Sequence, residues 1–370
     1  MRRFILNGGR NTLMKDTISL IIPTYNEKDN IVPLVERIHQ ALSGYNYEIV
    51  FVDDNSKDGT IEVAAGLAPR YPVKVIVRTD ERGLATAVVH GLKHAAGSII
   101  GVMDADLQHP PEVLPDLIRA LEGGADMVVA SRYIKGGGCP NWGLSRKIIS
   151  KVALMVSHLL LPSTRQVKDP LAGFFMFRRE NVDPDRLKPV GYKISLEVML
   201  TGNFRHIVEV PYIFEDRSAG KSKLRPQQQI DYLKHILSLM TRTGEIKRFL
   251  KFIGVGLSGT LVNIGVLRLV TAFTHWNPKV QLIPGIEVSI ITNFLLNDYF
   301  TFADRRKGKT VSFFGRLFKY NLIALAGAAI NWGIAALLVN AGVNIFLADF
   351  IGIVIAFLWN YFFSTVWAWK

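Results

Sequence analysis

Short apolar runs and longer mixed stretches alternate along the first third of the chain. Residues 18–22 read as a buried strand ending at Pro23, and the polar turn Thr24-Tyr25-Asn26-Glu27 leads into a helix over 29–42. Residues 48–52 form a second strand that breaks into Asp53-Asp54-Asn55-Ser56. A helix from Gly59, a strand over 73–77, a helix over 84–95 and a strand over 98–103 follow. Strands separated by helices of this length require right-handed βαβ crossovers. The expected fold is therefore α/β, a Rossmann-like domain with a mainly parallel sheet. Such sheets bind ligands beyond the carboxyl ends of their strands, where Tyr25, Glu27, Asp53, Asp54, Asp104 and Asp106 fall.

From about Phe249 the pattern changes to long apolar segments with short polar breaks. Residues 249–273, 280–302, 317–340 and 345–367 each approach the ~20 residues that cross a bilayer, which predicts an all-α, four-span second half. Lys247, Arg248 and Lys251 precede the first span; Arg305, Arg306, Lys307, Lys309, Arg316 and Lys319 lie between the second and third. The other two loops hold only Lys279, so the positive-inside rule puts the α/β half and the C-terminus in the cytoplasm. This half also repeats itself. Lys251, Leu257, Gly259, Asn263 and Gly265 recur 68 positions on, and Phe294, Leu295 and Asn297 match Phe357, Leu358 and Asn360 63 positions on.

Two amphipathic segments are too short to span. Residues 145–161 carry Arg146, Lys147 and Lys151 at one end and suit either a helix in the membrane interface or a buried domain helix. Residues 227–240 directly precede the first span, which favours the interface. The expected division is a flexible leader (1–15), an α/β domain (16–225), a second interfacial helix (226–244) and a membrane domain (245–370).

Composition adds little until it is divided this way. The 370 residues are 49% hydrophobic, too apolar and too patterned for a disordered chain, and 44 Lys plus Arg against 31 Asp plus Glu give a net charge of +13. Such an excess suits nucleic acid or an anionic membrane; without zinc-finger, RRM or KH signatures, no nucleic-acid partner is expected and the lipid bilayer is. The single Cys139 excludes an intramolecular disulfide and points to a non-oxidising compartment.

The sharpest chemical signal is Asp104-Ala105-Asp106-Leu107-Gln108-His109-Pro110 at the end of the fourth strand. Two carboxylates two residues apart offer hard oxygen ligands that suit Mg²⁺ or Mn²⁺ on a diphosphate. Alone, Asp-x-Asp is an ordinary turn. Its place in a βα array whose first two strands also end in acidic clusters raises its meaning. His109 reads as structural, before a Pro-Pro turn.

Together with Pro23-Thr24-Tyr25-Asn26-Glu27, Asp53 to Thr60, Arg82-Gly83-Leu84 and Gly173-Phe174-Phe175, this motif resembles the ordered motifs of inverting nucleotide-sugar glycosyltransferases of the A-type fold. Ala130-Ser131-Arg132-Tyr133, Lys168-Asp169-Pro170 and Arg217 to Leu224 are similar, more narrowly, to polyprenol-phosphate (dolichol-phosphate) mannose synthases. The four-span half resembles the GtrA-like membrane domain fused to some of them. The resemblance implies GDP-mannose as donor, a polyprenyl (dolichyl) monophosphate as acceptor and a divalent metal. It implies that Pro23, Tyr25, Glu27, Asp53, Asp54, Arg82 and Gly83 hold the donor nucleotide, and that Asp104, Asp106 and Gln108 hold the metal. Arg132, Arg146, Arg217, Lys221 and Lys223 would hold phosphates, with Asp104, Asp106, Arg132 and Arg217 the catalytic set, and Asp169 would shape the sugar pocket.

Blander readings stand beside these. Each cation is also a plausible surface charge, and residues 218–223 read as a mobile lid. Glu287 and Asp349 are costly in lipid and suit either a polar path or a partnered charge between helices, while Asn263 and Asn331 suit interhelical hydrogen bonds. No residue reads mannose by itself, so a glucosyltransferase using UDP-glucose and a lipid-carrier translocase remain the alternatives.

Overall fold

The computed structural model describes residues 16–215, 226–306 and 312–369. It divides into two compact units, Met1–Leu239 and Met240–Lys370.

In the first unit a seven-stranded sheet runs in the order β3-β2-β1-β4-β6-β5-β7, built from β1 (Ile18–Thr24), β2 (Tyr47–Asp53), β3 (Val73–Val77), β4 (Ile99–Val102), β5 (Met127–Ser131), β6 (Phe175–Arg178) and β7 (Ile207–Pro211). Only β6 is antiparallel to its neighbours. Helices α1 (Lys28–Ala41), α2 (Thr60–Leu67), α3 (Leu84–His94) and α4 (Leu114–Glu122) cover the faces. Apolar residues of the central strands are fully buried on both sides: Leu20 and Phe51 pack into one core, Ile21 and Val50 into the other. Strand β1 runs two residues further than expected. The β4 ladder stops at Ile21–Val102, so Pro23 sits where β1 is bordered on one side only and its missing N–H costs no pairing there.

Helices α5 (Leu144–Leu160), α6 (Ile194–Thr201) and α7 (Pro226–Arg242) complete this unit's elements. Helix α5 buries Leu154, Ser157 and Leu159 yet leaves Leu144, Ile148, Val152 and Met155 at least 49% exposed. A helix buried within the domain would not carry that stripe. The Tyr232 hydroxyl of α7 donates to the Ala153 carbonyl of α5 at 2.6 Å, and α7 exposes Ile230, Leu233 and Leu237 in turn. His235 of α7 meets Glu197 of α6 at 2.9 Å, both fully buried.

The second unit contains α8 (Glu245–Phe273), α9 (Pro278–Leu296), the short α10 (Ala303–Arg306), α11 (Phe313–Asn340) and α12 (Ile345–Phe363), with a π-helical turn after α9 and another after α12. Four of these are long and apolar enough to span a bilayer. The two hairpins match with an offset of 68 between α8 and α11 but 67, not 63, between α9 and α12. Asn293 lies against Gly259 as Asn360 does against Gly327, and Asn263 against Gly285 as Asn331 does against Gly352. The short match of Phe294, Leu295 and Asn297 at an offset of 63 was a coincidence; the close Asn–Gly approaches identify Asn293 as the true equivalent of Asn360. Glu287 and Asp349 are both exposed on the surface of the unit rather than partnered between its helices. The buried acid is Asp298, which accepts from Arg316 Nε and from the Trp369 indole, each at 2.8 Å.

Candidate active site

The parallel strands deliver their carboxyl ends to one edge of the sheet, and each turn there is locked by local hydrogen bonds. Asp53 accepts from Thr24 Oγ1 (2.8 Å) and from the Ser56 N–H and hydroxyl (2.7 Å each), while the Asn26 N–H donates to Ser56 Oγ (2.8 Å). Asn26 and Asn55 adopt left-handed backbone conformations, which short amide side chains tolerate. Asp54 is buried against Arg78 and accepts from the Gly83 N–H at 2.8 Å. Gly83 has φ 146°, a conformation other residues avoid, and opens α3. Tyr25 is exposed, with the Arg82 guanidinium 5.1 Å above its ring. Glu27 accepts from Asn30 Nδ2 at 2.7 Å, and Pro23 is half-buried beside them.

Beyond β4 the chain turns through Leu107, a non-glycine at φ 61°, a strained position of the kind found at functional sites. The Gln108 N–H donates to Asp106 Oδ1 (3.2 Å) and Gln108 Nε2 donates to the Glu215 carbonyl (3.2 Å), leaving Oε1 as the amide's acceptor end. His109 is buried against Phe174, and its Nδ1 accepts the Asp104 N–H at 3.2 Å. Burial above all, opposed by Asp106 and reinforced by Arg132 and Lys193, pushes the imidazole down to about 4, so it is neutral at pH 7. A Cβ at Gly173 would stand 3.1 Å from both Asp104 Oδ2 and His109 Cε1, so glycine there leaves the first carboxylate room.

Facing these acids is a basic wall. Arg132 follows β5 and donates through Nε and Nη2 to Asp169, 2.8 Å each, while its own N–H donates to the same carboxylate at 3.1 Å. Burial opposes the guanidinium charge, but Asp169 outweighs it and keeps the group above its ordinary value. Arg146, near the start of α5, lies 4.2 Å over the Trp142 ring, with Arg132 5.3 Å from the same ring. Lys193, half-buried before α6, donates to the Leu171 carbonyl at 3.2 Å. Its ammonium is pushed down to about 8, first by burial and then by Arg132, with Asp169 and Asp104 opposing.

A cavity of about 470 Å³ joins the two sides, lined among others by Gly83, Asp104, Asp106, Gln108, Arg132, Arg146 and Lys193. Six residues expected from the sequence thus line one cavity. Asp169 stands behind Arg132, fully buried; Pro23, Tyr25, Glu27, Asp53, Asp54 and Arg82 lie on adjoining strand ends outside the cavity lining. Arg217, Lys221 and Lys223 lie outside the described residues. Lys193, Trp142, Phe214 and Arg78 were missed by sequence reasoning; only Trp142 carried a signal, a lone aromatic four residues before Arg146 in a Gly-rich loop.

Residues 19–183 match the family model of glycosyl transferase family 2, and residues 251–369 that of the GtrA/DPMS transmembrane domain. Over 342 residues the chain is 48% identical to a dolichol-phosphate mannosyltransferase of Pyrococcus furiosus, spanning 92% of this chain and 96% of that one. The chain belongs to the dolichol-phosphate mannosyltransferase family. A member from Saccharomyces cerevisiae is 39% identical over 234 residues, 60% of this chain and 86% of its own. The solved structure of glucosyl-3-phosphoglycerate synthase from Mycobacterium tuberculosis, with Mn²⁺, UDP-glucose and phosphoglyceric acid, superposes with a TM-score of 0.48 at 20% identity, over 62% of this chain and 80% of that one. As a dolichol-phosphate mannosyltransferase family member, the protein is a glycosyltransferase with an A-type catalytic fold and an integral membrane domain.

Proposed function

We propose that this glycosyltransferase moves mannose from GDP-mannose to a polyprenyl (dolichyl) monophosphate with inversion, releasing GDP, at the cytoplasmic face of the membrane. The observation that carries this reading is the meeting of Asp104 and Asp106 with Arg132, Arg146 and Lys193 in one cavity.

Among the described residues no three His, Cys, Asp or Glu side chains cluster as a self-sufficient metal cage. Asp104, Asp106 and Gln108 Oε1 line the same cavity and would offer a partial set of hard oxygens to Mg²⁺ or Mn²⁺, with a diphosphate supplying the rest. Such an ion, when bound, neutralises charge on the departing diphosphate. The chain's own residues then gather and orient the reactants. A phosphate monoester is already anionic at pH 7, its second pKa being about 6, so the attack requires no strong general base. That agrees with a cavity whose histidine is buried and neutral. Asp169 occupies Nε and Nη2 of Arg132, so Nη1 is the nitrogen left for a phosphate oxygen. Arg146 and Lys193 add charge to the same wall, and Arg217, Lys221 and Lys223 would hold phosphates as well.

The donor nucleoside would rest at the ends of β1 and β2, with Tyr25 and Arg82 at the mouth, Pro23 and Glu27 beside them, and Asp53, Asp54 and Gly83 shaping the turns. The exposed apolar stripes of α5 and α7 suit the membrane interface, where a polyprenyl tail would be presented. Lys247, Arg248 and Lys251, with Arg305, Arg306, Arg316 and Lys319, support a cytoplasmic orientation.

The test is a donor panel with the full chain and lipid-extracted acceptor. Label from GDP-mannose should enter the organic phase and Asp106→Ala should stop it; preferential transfer from UDP-glucose, or none from any donor, would refute the reading.

A further inference from the structure

We propose that the first membrane hairpin carries a binding groove for one anionic phospholipid, its phosphate held by Lys247 and Lys251 and one of its chains lying over Gly254 and Ser258. A groove of about 610 Å³ opens between α8 and the end of α9. Four of the six α8 residues that line it fall at i, i+4, i+7 and i+11, two lysines and then two small residues on one helical face, with Leu250 and Val255 beside them. The small pair leaves a trough about 10 Å long from Lys251 to Ser258 at 1.5 Å per residue. Leu296 and Phe300 form the opposite wall. Ser258 Oγ donates to its own helix at Val255 O, so the trough presents no unsatisfied hydroxyl to a hydrocarbon chain.

The charge at the mouth is positioned. Lys251 Nζ donates to the Phe300 carbonyl at 3.2 Å and lies 4.3 Å over the Phe300 ring, which uses one of three ammonium donors. Lys247 is exposed one turn away. Two cations one turn apart at the end of a span attract an anionic headgroup.

The internal repeat supplies the second, independent observation. Lys251 has its counterpart in Lys319, which makes the same contact, Nζ to the Trp367 carbonyl at 3.2 Å. Elsewhere the groove differs, with Gly315 for Lys247, Leu322 for Gly254, Phe363 for Leu296 and Trp367 for Phe300, while Ala326 keeps a small residue where Ser258 stands. The second hairpin thus puts a leucine where the first has Gly254 and drops one cation. The asymmetry marks the first groove as a site rather than a by-product of the helix pairing. Among phosphate-bearing lipids, bilayer phospholipid is in excess over any polyprenyl carrier, so mass action assigns the groove to it.

The experiment is native mass spectrometry of the full chain in detergent with equal amounts of phosphatidylglycerol and phosphatidylcholine. One phosphatidylglycerol should be retained per chain, several-fold over phosphatidylcholine. Lys247→Gln with Lys251→Gln should erase the preference, and Lys319→Gln should not. Gly254→Leu, which copies the second hairpin, should remove the retained lipid; a Cβ at Gly254 meets nothing within 4 Å, so the fold has room for it, and the paired lysine variant decides the matter if that chain fails to fold. Equal retention of the two lipids, retention unchanged by Gly254→Leu, or displacement of phosphatidylglycerol by an equal amount of polyprenyl phosphate would each overturn the proposal.

Discussion

Asp169 and Arg132 form a buried, two-pronged ion pair in which the carboxylate of one loop sets the direction of the guanidinium of another. The acid is fully buried and the guanidinium nearly so, so each depends on the other for its charge. Asp169→Ala should destabilise the chain by about 3–5 kcal/mol, because it leaves an uncompensated buried charge. Asp169→Asn should fold more stably than the alanine variant yet lose about 10²-fold in transfer, the cost of a misdirected group. Thermal unfolding alongside steady-state kinetics separates the two effects; an Asp169→Asn variant with full activity would show that Arg132 needs no such alignment.

Lys193 should make the activity pH-dependent on the alkaline side. Its folded-state pKa of about 8 lies below its ordinary 10.5, so raising the pH through 8 discharges an ammonium on the cavity wall. Transfer should fall along a limb centred near pH 8, and Lys193→Arg, which stays charged, should remove that limb. The same shift acts oppositely on stability: between about 8 and 10.5 the unfolded chain binds more protons than the folded one, so this group's contribution rises with pH. A pH–rate profile identical in wild type and Lys193→Arg would exclude the assignment.

Removal of divalent metal by a chelator should abolish transfer, and Mg²⁺ or Mn²⁺ should restore it. Asp106→Asn keeps the shape of the turn but loses a charge, and should reduce the restored rate by at least about 10². Gly173→Ala, which crowds Asp104, should raise the metal concentration needed for half-activity. Full activity in chelator would rule out metal assistance.

Cys139 reports the membrane face without engineering, as it is the only cysteine in the chain and is partly exposed. An impermeant thiol reagent should label it in inside-out vesicles and spare it in right-side-out ones. Labelling in the reverse pattern would invert the topology argued from the lysines and arginines.

The hairpins of the membrane unit depend on glycine where asparagine approaches. A side chain at Gly259 would collide with Asn293, and one at Gly327 with Asn360. Gly259→Leu and Gly327→Leu should each cost about 1–3 kcal/mol by overpacking. Gly265→Leu, where a Cβ meets nothing within 4 Å, serves as the control. Equal melting temperatures in detergent for all three would count against the packing account.

Much of the architecture was legible from periodicity. Strand and helix periods repeat over many residues, and the spans declare themselves by length, so β1 to β4 and the four membrane helices required no tertiary information. Asp104 and Asp106 were legible too, because both follow directly from the end of one strand. Contacts between distant segments were not. Asp169 finds Arg132 across 37 positions only because β6 inserts antiparallel between β4 and β5, and Lys193 reaches the cavity from a loop whose sequence reads as ordinary surface. The offset of the second repeat failed in the same way: apolar letters match at several registers, and only the close approach of Asn to Gly selects one. Local pattern specifies which segments are strands, helices or spans, since that depends on neighbours in the chain. Which charges meet depends on the sheet order and helix packing, where groups far apart in sequence compete for the same few ångströms.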